Sequence, residues 1–312
     1  MGYAVAVLVG GGGRDGELSR AGAQVVCEAL QKAGHRTALV ECAGGMGSML
    51  RAGGFDAAWP VLAGELGRSG EVQELVEAAG LPCVGSASGV CRRMRDRREL
   101  VRSVAEALEV RTIEASVPWT ETLGARGLEA FDAAELLEGM AGRIPGGYPL
   151  VVKPVLGGTG VAARTAGDLE ELRAAVADVA ATGGAAIQEQ VEGVEMRVCV
   201  LGDADDICVL PPVEVCAGGE LVVPVRYESL SPDRADAEAI RSAVERAALD
   251  AFLVCGCCGL AEVQLVWDGA TPRLLDVDTA PRLDREGALV RAIEACGFAL
   301  DEELDIVLEA AM

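Results

Sequence analysis

The stretch that most constrains this chain spans residues 259–282 and has the pattern of a β-hairpin. Apolar and polar residues alternate along its first half, the sequence Asp-Gly-Ala-Thr-Pro makes a turn, and an extended apolar run follows. If Gln264 lies on the same face as Asp276 and Asp278, two carboxylates and an amide oxygen converge. Such a set suits a hard cation such as Mg²⁺, and the alternative is an acidic edge strand that faces water.

The length and the charge of the chain limit what it can be. Its 312 residues are enough for two or three subdomains with substantial cores. The formal net charge of -22 argues against duplex DNA or an anionic membrane as a partner, because the field of the protein repels phosphates. A bound nucleotide would therefore depend on local cations and on Mg²⁺.

Cysteine usage indicates a reducing compartment. The chain has eleven cysteines, an odd number, and neither a signal peptide nor a long apolar segment is evident. We therefore expect a cytoplasmic protein. The cluster Cys255, Cys257 and Cys258 lacks a second cysteine pair at metal-ligand spacing, so buried small residues beside a strand are the favoured interpretation over a thiolate metal site.

The beginning of the chain predicts an α/β domain that ends near residue 88. An apolar strand is followed by four consecutive glycines, a helix and a second strand, and further strands are predicted at 56–62 and 81–84. The glycine turn can approach a ligand closely, but it does not match the dinucleotide-binding fingerprint. Glu17 lies near the helix start, where a carboxylate commonly complements the helix dipole.

Two later segments carry positive charge. A single helix rich in arginine is predicted after residue 88, and either a phosphate site or pairing with surface glutamates explains it. Lys153 ends a predicted strand that runs into a glycine-rich loop at 155–160. A lysine in that position can bind phosphate oxygens while backbone amides cover them.

In this order and spacing, the segments resemble the ATP-grasp superfamily, and within it the D-alanine:D-alanine ligase branch. The motifs that carry the resemblance are Val-Lys-Pro with its glycine loop, Gln-Glu-Gln-Val-Glu-Gly-Val-Glu, Cys-Gly-Leu-Ala and Leu-Leu-Asp-Val-Asp-Thr-Ala-Pro. The resemblance implies an α/β protein with a parallel-sheet N-terminal domain and two α+β domains that clasp ATP. The expected domain boundaries are 1–88, 89–187 and 188–312.

The resemblance also implies site residues. Those that match nucleotide contacts are Arg97, Lys153, Gly158, Thr159, Gln188, Glu189, Val191 and Glu195. Arg97 replaces a usual lysine, and Gln188 replaces a usual glutamate. The Mg²⁺ ligands are expected at Gln264, Asp276 and Asp278, where the family has Asp, Glu and Asn. On the substrate side, Glu17 matches an amino-group anchor, and Arg226 and Tyr227 match a Lys-Tyr pair on the lid.

The part of the site where the substrates bind and the amide forms, here called the acceptor half, departs from the family pattern. Glu262 stands where the family has an arginine that steadies the developing oxyanion, and Gly287 stands where a serine receives the second D-alanine. Ala63 replaces a histidine of the first-substrate pocket. Arg282 replaces a glycine, and it either restores the lost cation or pairs with Glu262 or Asp284.

These features predict an ATP-dependent carboxylate–amine ligase that acts through an acyl phosphate on a small amino-acid-like substrate, with ATP and Mg²⁺ as cofactors. The product is expected to differ from D-alanyl-D-alanine, and the amide forms between two molecules or within one. A degenerate nucleotide-binding regulatory or scaffold relative and a kinase that stops at phosphoryl transfer are the alternatives. No nucleic-acid or membrane partner is expected, and a homodimer is possible.

Overall fold

The computed structural model of the protein describes residues 2–109, 115–124, 133–158, 161–203, 206–216, 226–229 and 237–312. The N-terminal elements are β1 (Ala4–Val9), α1 (Gly13–Lys32), β2 (Arg36–Glu41), α2 (Met46–Ala52), β3 (Ala57–Pro60), α3 (Gly64–Arg68) and α4 (Glu71–Ala78). The strands form a parallel sheet in the order β2-β1-β3. Every residue of β1 is buried, as expected for the central strand of a parallel sheet. The strand predicted at 81–84 reduces to a single bridge between Ala58 and Cys83.

The arginine-rich segment forms two helices rather than the one that the sequence predicts. These are α5 (Ser88–Arg95) and α6 (Arg97–Glu109). Asp96 separates them because its backbone is extended, and it forms a bridge with Leu156 in the glycine loop. A contact with a distant segment therefore divides a sequence that is locally compatible with one helix.

A four-stranded antiparallel sheet occupies the middle of the chain. Its elements are β4 (Thr120–Gly124), α7 (Ala133–Ala141), β5 (Leu150–Pro154), β6 (Arg164–Ala166), α8 (Leu169–Ala180) and β7 (Gly184–Glu189). The strand order is β4-β7-β5-β6. Leu150, Leu172 and Ile187 are fully buried in the core between this sheet and its helices. Asp168 caps α8 by accepting a hydrogen bond from the backbone N–H of Glu171.

A larger antiparallel sheet follows. Its elements are β8 (Val194–Gly202), β9 (Ile207–Val209), β10 (Val213–Cys216), β11 (Arg226–Ser229), α9 (Ala237–Cys255), β12 (Gly259–Trp267) and β13 (Pro272–Asp278). The order is β11-β10-β8-β12-β13, and β9 pairs with β8. The predicted hairpin is confirmed as β12 and β13, in which Gln264 lies opposite Asp276 and Glu262 lies opposite Asp278.

The last two helices return to the N-terminal domain. They are α10 (Ala288–Cys296) and α11 (Leu300–Glu309), and their apolar faces share one core with β1 and α1. Helix α6 instead packs on the large sheet, where Leu100 and Val104 are buried with residues of β8 and β12. Among the described residues, no helix combines the length and the apolar character needed to cross a bilayer.

Candidate nucleotide-binding site

A cavity of about 390 Å³ lies between the four-stranded sheet and the large sheet. That volume lies in the range of ligand pockets. Eight of the predicted site residues line its wall, namely Arg97, Lys153, Gln188, Glu189, Val191, Glu195, Gln264 and Asp276. The tertiary structure therefore brings together residues from α6, β5, β7, β8, β12 and β13 and from the link between β7 and β8.

Lys153 is positioned by neighbouring strands of the four-stranded sheet. Its Nζ donates to Oε1 of Gln188 at 2.9 Å, and Gln188 Nε2 donates to the hydroxyl of Thr120 at 3.1 Å. Burial, reinforced by the charge of Arg97, lowers the pKa of Lys153 to about 8. An ammonium group has three donors, so an anion in the cavity can still accept from Lys153.

Asp276 is held by two arginines. Arg68 donates to both carboxylate oxygens at 2.9 and 3.0 Å, and Arg97 donates to Oδ2 at 3.2 Å. Burial alone would raise the pKa of Asp276, but the charges of Arg68 and Arg97 lower it to about 2. Arg97 is held at its other end by the carbonyl of Pro154, at 2.6 Å, and its buried Nε has no hydrogen-bond partner among the described residues.

Arg68 was not predicted as a site residue. Its side chain is buried, and besides Asp276 it donates to the carbonyl of Val277 at 3.1 Å. Its Nε lies 3.5 Å from Oδ1 of Asp278. No local pattern marks this arginine, because its main partner lies 208 residues further along the chain. The one available signal is an arginine on a short helix between small residues, in a chain of strongly negative charge.

The carboxylates and the amide of the hairpin differ in their capacity to bind a cation. Both contacts of Asp278 use Oδ1, from the N–H of Ala280 and from Arg68, so within the described ranges its Oδ2 accepts no hydrogen bond. Nε2 of Gln264 donates to Glu262, and within the described ranges the amide oxygen of Gln264 accepts no hydrogen bond. The described residues contain no cluster of three His, Cys, Asp or Glu side chains suited to a metal. The hairpin oxygens that remain available to a cation among the described residues are Oδ2 of Asp278 and the amide oxygen of Gln264.

Glu262 is a further acidic group, next to Gln264 of the cavity wall. It is buried, its Oε1 lies 3.3 Å from Nε of Arg197, and it accepts from Gln264 at 3.2 Å. Burial raises the pKa of Glu262 to about 7, and the charge of Arg197 opposes that shift. Arg197 also binds Glu195 at 2.7 Å. A glutamate here is thus part of a paired charge network rather than an isolated charge.

The loop after β13 is organised by Arg282. Its guanidinium forms two hydrogen bonds with Asp284, of 2.8 and 2.9 Å, as one of the alternatives from the sequence predicts. A side chain at Gly287 would approach the carbonyl oxygen of Arg282 to 2.4 Å. Glycine is therefore required by the path of this loop, and a serine at this position would force the loop to move.

The remaining predicted residues lie outside the cavity wall or outside the described side chains. Glu17 is exposed on α1. Gly158 has a φ of +79°, and a Cβ there would lie 2.8 Å from the backbone of Gly64, so the glycine loop packs directly against α3. Thr159 lies outside the described residues. Arg226 and Tyr227 lie on β11, where the described structure is that of the backbone.

The family model and the relatives described next are those of D-alanine–D-alanine ligases. The family model described as D-ala D-ala ligase C-terminus matches residues 133–309, which is more than half of the chain. D-alanine–D-alanine ligase B of Xanthomonas campestris pv. campestris is 31% identical over 327 residues, covering 99% of this chain and 94% of the relative. The D-alanine–D-alanine ligase of Desulforudis audaxviator is 28% identical and covers 98% of each chain.

Solved structures have the same fold. The D-alanine–D-alanine ligase of Bacillus anthracis complexed with ATP has a TM-score of 0.80 and 21% identity, with 99% of this chain and 97% of that chain covered. The VanG D-Ala:D-Ser ligase of Enterococcus faecalis has a TM-score of 0.82 and 21% identity, with both chains fully covered. The family model and the sequence matches show that this chain, which shares the fold of these solved structures, belongs to the D-alanine–D-alanine ligase family of ATP-grasp enzymes.

Proposed function

We propose that this chain is an ATP-dependent ligase that joins a carboxylate to an amine, and that its amine substrate differs from D-alanine. The observation that supports ATP binding is the cavity between the two antiparallel sheets, which Lys153 and Arg97 line with positive charge. A neighbour with the same fold was solved in complex with ATP. The rest of the surface is too acidic to attract a nucleotide without such local cations.

Each wall of the cavity has a role in this proposal. Lys153 and the guanidinium of Arg97, which both line the cavity, bind phosphate oxygens. Gln188, Glu189 and Val191 border the adenine, and Glu195 accepts from the ribose hydroxyls. Asp278 and Gln264 would hold a divalent cation, which supplies charge neutralisation for the phosphates when it is bound.

The proposed reaction has two steps. A substrate carboxylate accepts the γ-phosphoryl group of ATP, and the amine then displaces phosphate to form the amide. Charge on the carbonyl oxygen grows as the amine attacks, and a cation near that oxygen stabilises it. Arg282, which Asp284 holds in place, is our candidate for this cation.

The acceptor half supports an amine other than D-alanine. Glu262 is buried next to Arg197, and Gly287 cannot be exchanged for a residue with a hydroxyl without moving the loop. A ligand carboxylate would therefore meet a different set of charges and no serine donor. One structural neighbour is named a D-Ala:D-Ser ligase, so this fold accommodates more than one acceptor.

The test is ADP release from ATP over a panel of amino acids and their derivatives, combined with the mass of each product. Amide formation from a pair other than two D-alanines is the expected result. A phosphorylated substrate without an amide would indicate a kinase. Tight nucleotide binding without turnover on any substrate would indicate a regulatory or scaffold relative, and efficient D-alanyl-D-alanine synthesis would contradict the proposed acceptor.

A further inference from the structure

Asp276 has no position left for a metal ion. Its Oδ1 accepts from Arg68 and from the N–H of Val277, both at 2.9 Å. Its Oδ2 accepts from Arg68 at 3.0 Å and from Arg97 at 3.2 Å. A carboxylate has about four acceptor positions, so these four hydrogen bonds fill them. Binding of a metal ion to Asp276 would require the buried Arg68 to give up its bidentate contact.

The charges around this carboxylate already balance. The acidic members of the group are Glu195, Glu262, Asp276 and Asp278, and the basic members are Arg68, Lys153, Arg197 and Arg97. Counted over these eight described side chains, four charges of each sign make the group formally neutral. A site built from carboxylates alone would need divalent cations to accept a triphosphate, whereas this one offers fixed cations of its own.

We propose that Asp276 does not bind metal in this site, because Arg68 holds its carboxylate, and that Asp276 instead positions Arg97 while the nucleotide is held with one divalent cation, at Asp278. This inference rests on the proposed nucleotide binding and deepens it. Arg68 does not line the cavity and is a positioning residue. It acts through Asp276, which accepts a hydrogen bond from Arg97 and so holds Arg97 at the cavity wall.

Two features of the fold keep Arg68 in this place. Its guanidinium lies against the glycine loop, where a Cβ on Gly157 would come within 2.7 Å of Nη1. It also contacts Val277 and Met94 through their carbonyl oxygens, at 3.1 and 3.5 Å. Elements from the N-terminal, central and C-terminal parts of the chain thus surround the guanidinium, and its position is set by the tertiary structure.

The experiment is equilibrium dialysis of the whole protein with Mn²⁺ and a non-hydrolysable ATP analogue, both at saturation. The expected result is one bound Mn²⁺ for each bound nucleotide. Two bound Mn²⁺ for each nucleotide would overturn the inference while leaving the proposed function intact. No binding of the analogue, checked by calorimetry, would overturn both. The wild-type protein alone gives these outcomes, so they do not depend on the folding of a variant.

A pair of variants then locates the cation. Asp278→Asn is expected to weaken Mn²⁺ binding more than tenfold at saturating nucleotide, and Asp276→Asn is expected to weaken it by a clearly smaller factor, because its effect reaches the cation only through Arg68. A purely structural role for the Arg68–Asp276 pair, with a metal ion also bound to Asp276, predicts equal losses in the two variants. Equal losses in folded proteins would overturn the inference. Circular dichroism of each variant shows whether it is folded.

Discussion

Arg68 and Asp276, 208 residues apart in the chain, form a buried bidentate ion pair with distances of 2.9 and 3.0 Å. The pair joins α3 of the N-terminal domain to β13 of the large sheet. Both side chains are more than nine-tenths buried. Removal of one partner from such a pair leaves a charge in a poorly solvated environment, which is strongly unfavourable.

Arg68→Ala is therefore expected to lower the free energy of unfolding by about 3–5 kcal/mol. Urea titration followed by circular dichroism measures this change. The control is Arg92→Ala, because Arg92 pairs with Glu74 on the surface and the midpoint should stay nearly the same. Similar small effects of the two substitutions would contradict a structural contribution of the buried pair.

Lys153 makes nucleotide affinity dependent on pH. The ammonium form binds phosphate, and its pKa in the unliganded protein is about 8. Affinity should fall above pH 8, by up to about tenfold per pH unit. In the absence of nucleotide, the contribution of Lys153 to folding stability changes with pH in the opposite direction. Unfolding releases Lys153 to a higher pKa, so the folded state gains stability from this residue as the pH rises from 8 toward the unfolded pKa.

Calorimetric titrations at several pH values test this dependence on Lys153. Lys153→Arg retains the positive charge over the whole range and should bind with little change in affinity between pH 7 and 9. Lys153→Ala should bind weakly at every pH. If Lys153→Arg has the same slope as the wild type, another group causes the pH dependence.

The packing of Gly157 against Arg68 predicts that a larger residue at position 157 destabilises the protein. A methyl group at Gly157 would lie 2.7 Å from Nη1 and 2.8 Å from Cζ of Arg68, and the buried guanidinium cannot move away freely. Gly157→Ala should lower the free energy of unfolding by about 1–3 kcal/mol. Gly139→Ala is the matched control, because this helical glycine is exposed and has open space around it. That change should stabilise the protein by about 0.5–1 kcal/mol.

Arg282 is expected to act in the amide-forming step. Arg282→Ala should lower turnover roughly a hundredfold or more with little change in ATP affinity, as loss of an oxyanion donor does. Asp284→Asn, which loosens the guanidinium but keeps its charge, should give a smaller decrease. Near-normal turnover of Arg282→Ala, together with a lower melting temperature, would assign Arg282 to holding the loop.

D-alanine is expected to be a poor acceptor. A buried polar group of the substrate that finds no partner carries a large penalty, and Gly287 offers no hydroxyl. Steady-state assays with D-alanine as the only amino acid should give a far lower kcat/KM than the best pair in the panel. The comparison uses one preparation of enzyme, so differences in folding do not enter.

The sequence by itself determined the elements whose signals are local. Alternation and a turn marked β12 and β13, and the lysine before a glycine loop marked β5 as a wall of the cavity. Such patterns depend on residues a few positions apart, which is why their strands were predicted nearly to the residue. The resemblance to the ATP-grasp superfamily then supplied eight residues that the cavity brings together.

The tertiary structure alone decided which charges pair. Asp276 meets Arg68 and Arg97, which come from two other parts of the chain, 208 and 179 residues before it. The break in the arginine-rich segment also depends on Leu156, 60 residues beyond Asp96. An ion pair is set by distance in space and by burial, and neither quantity has a period or a spacing in the sequence from which it can be read.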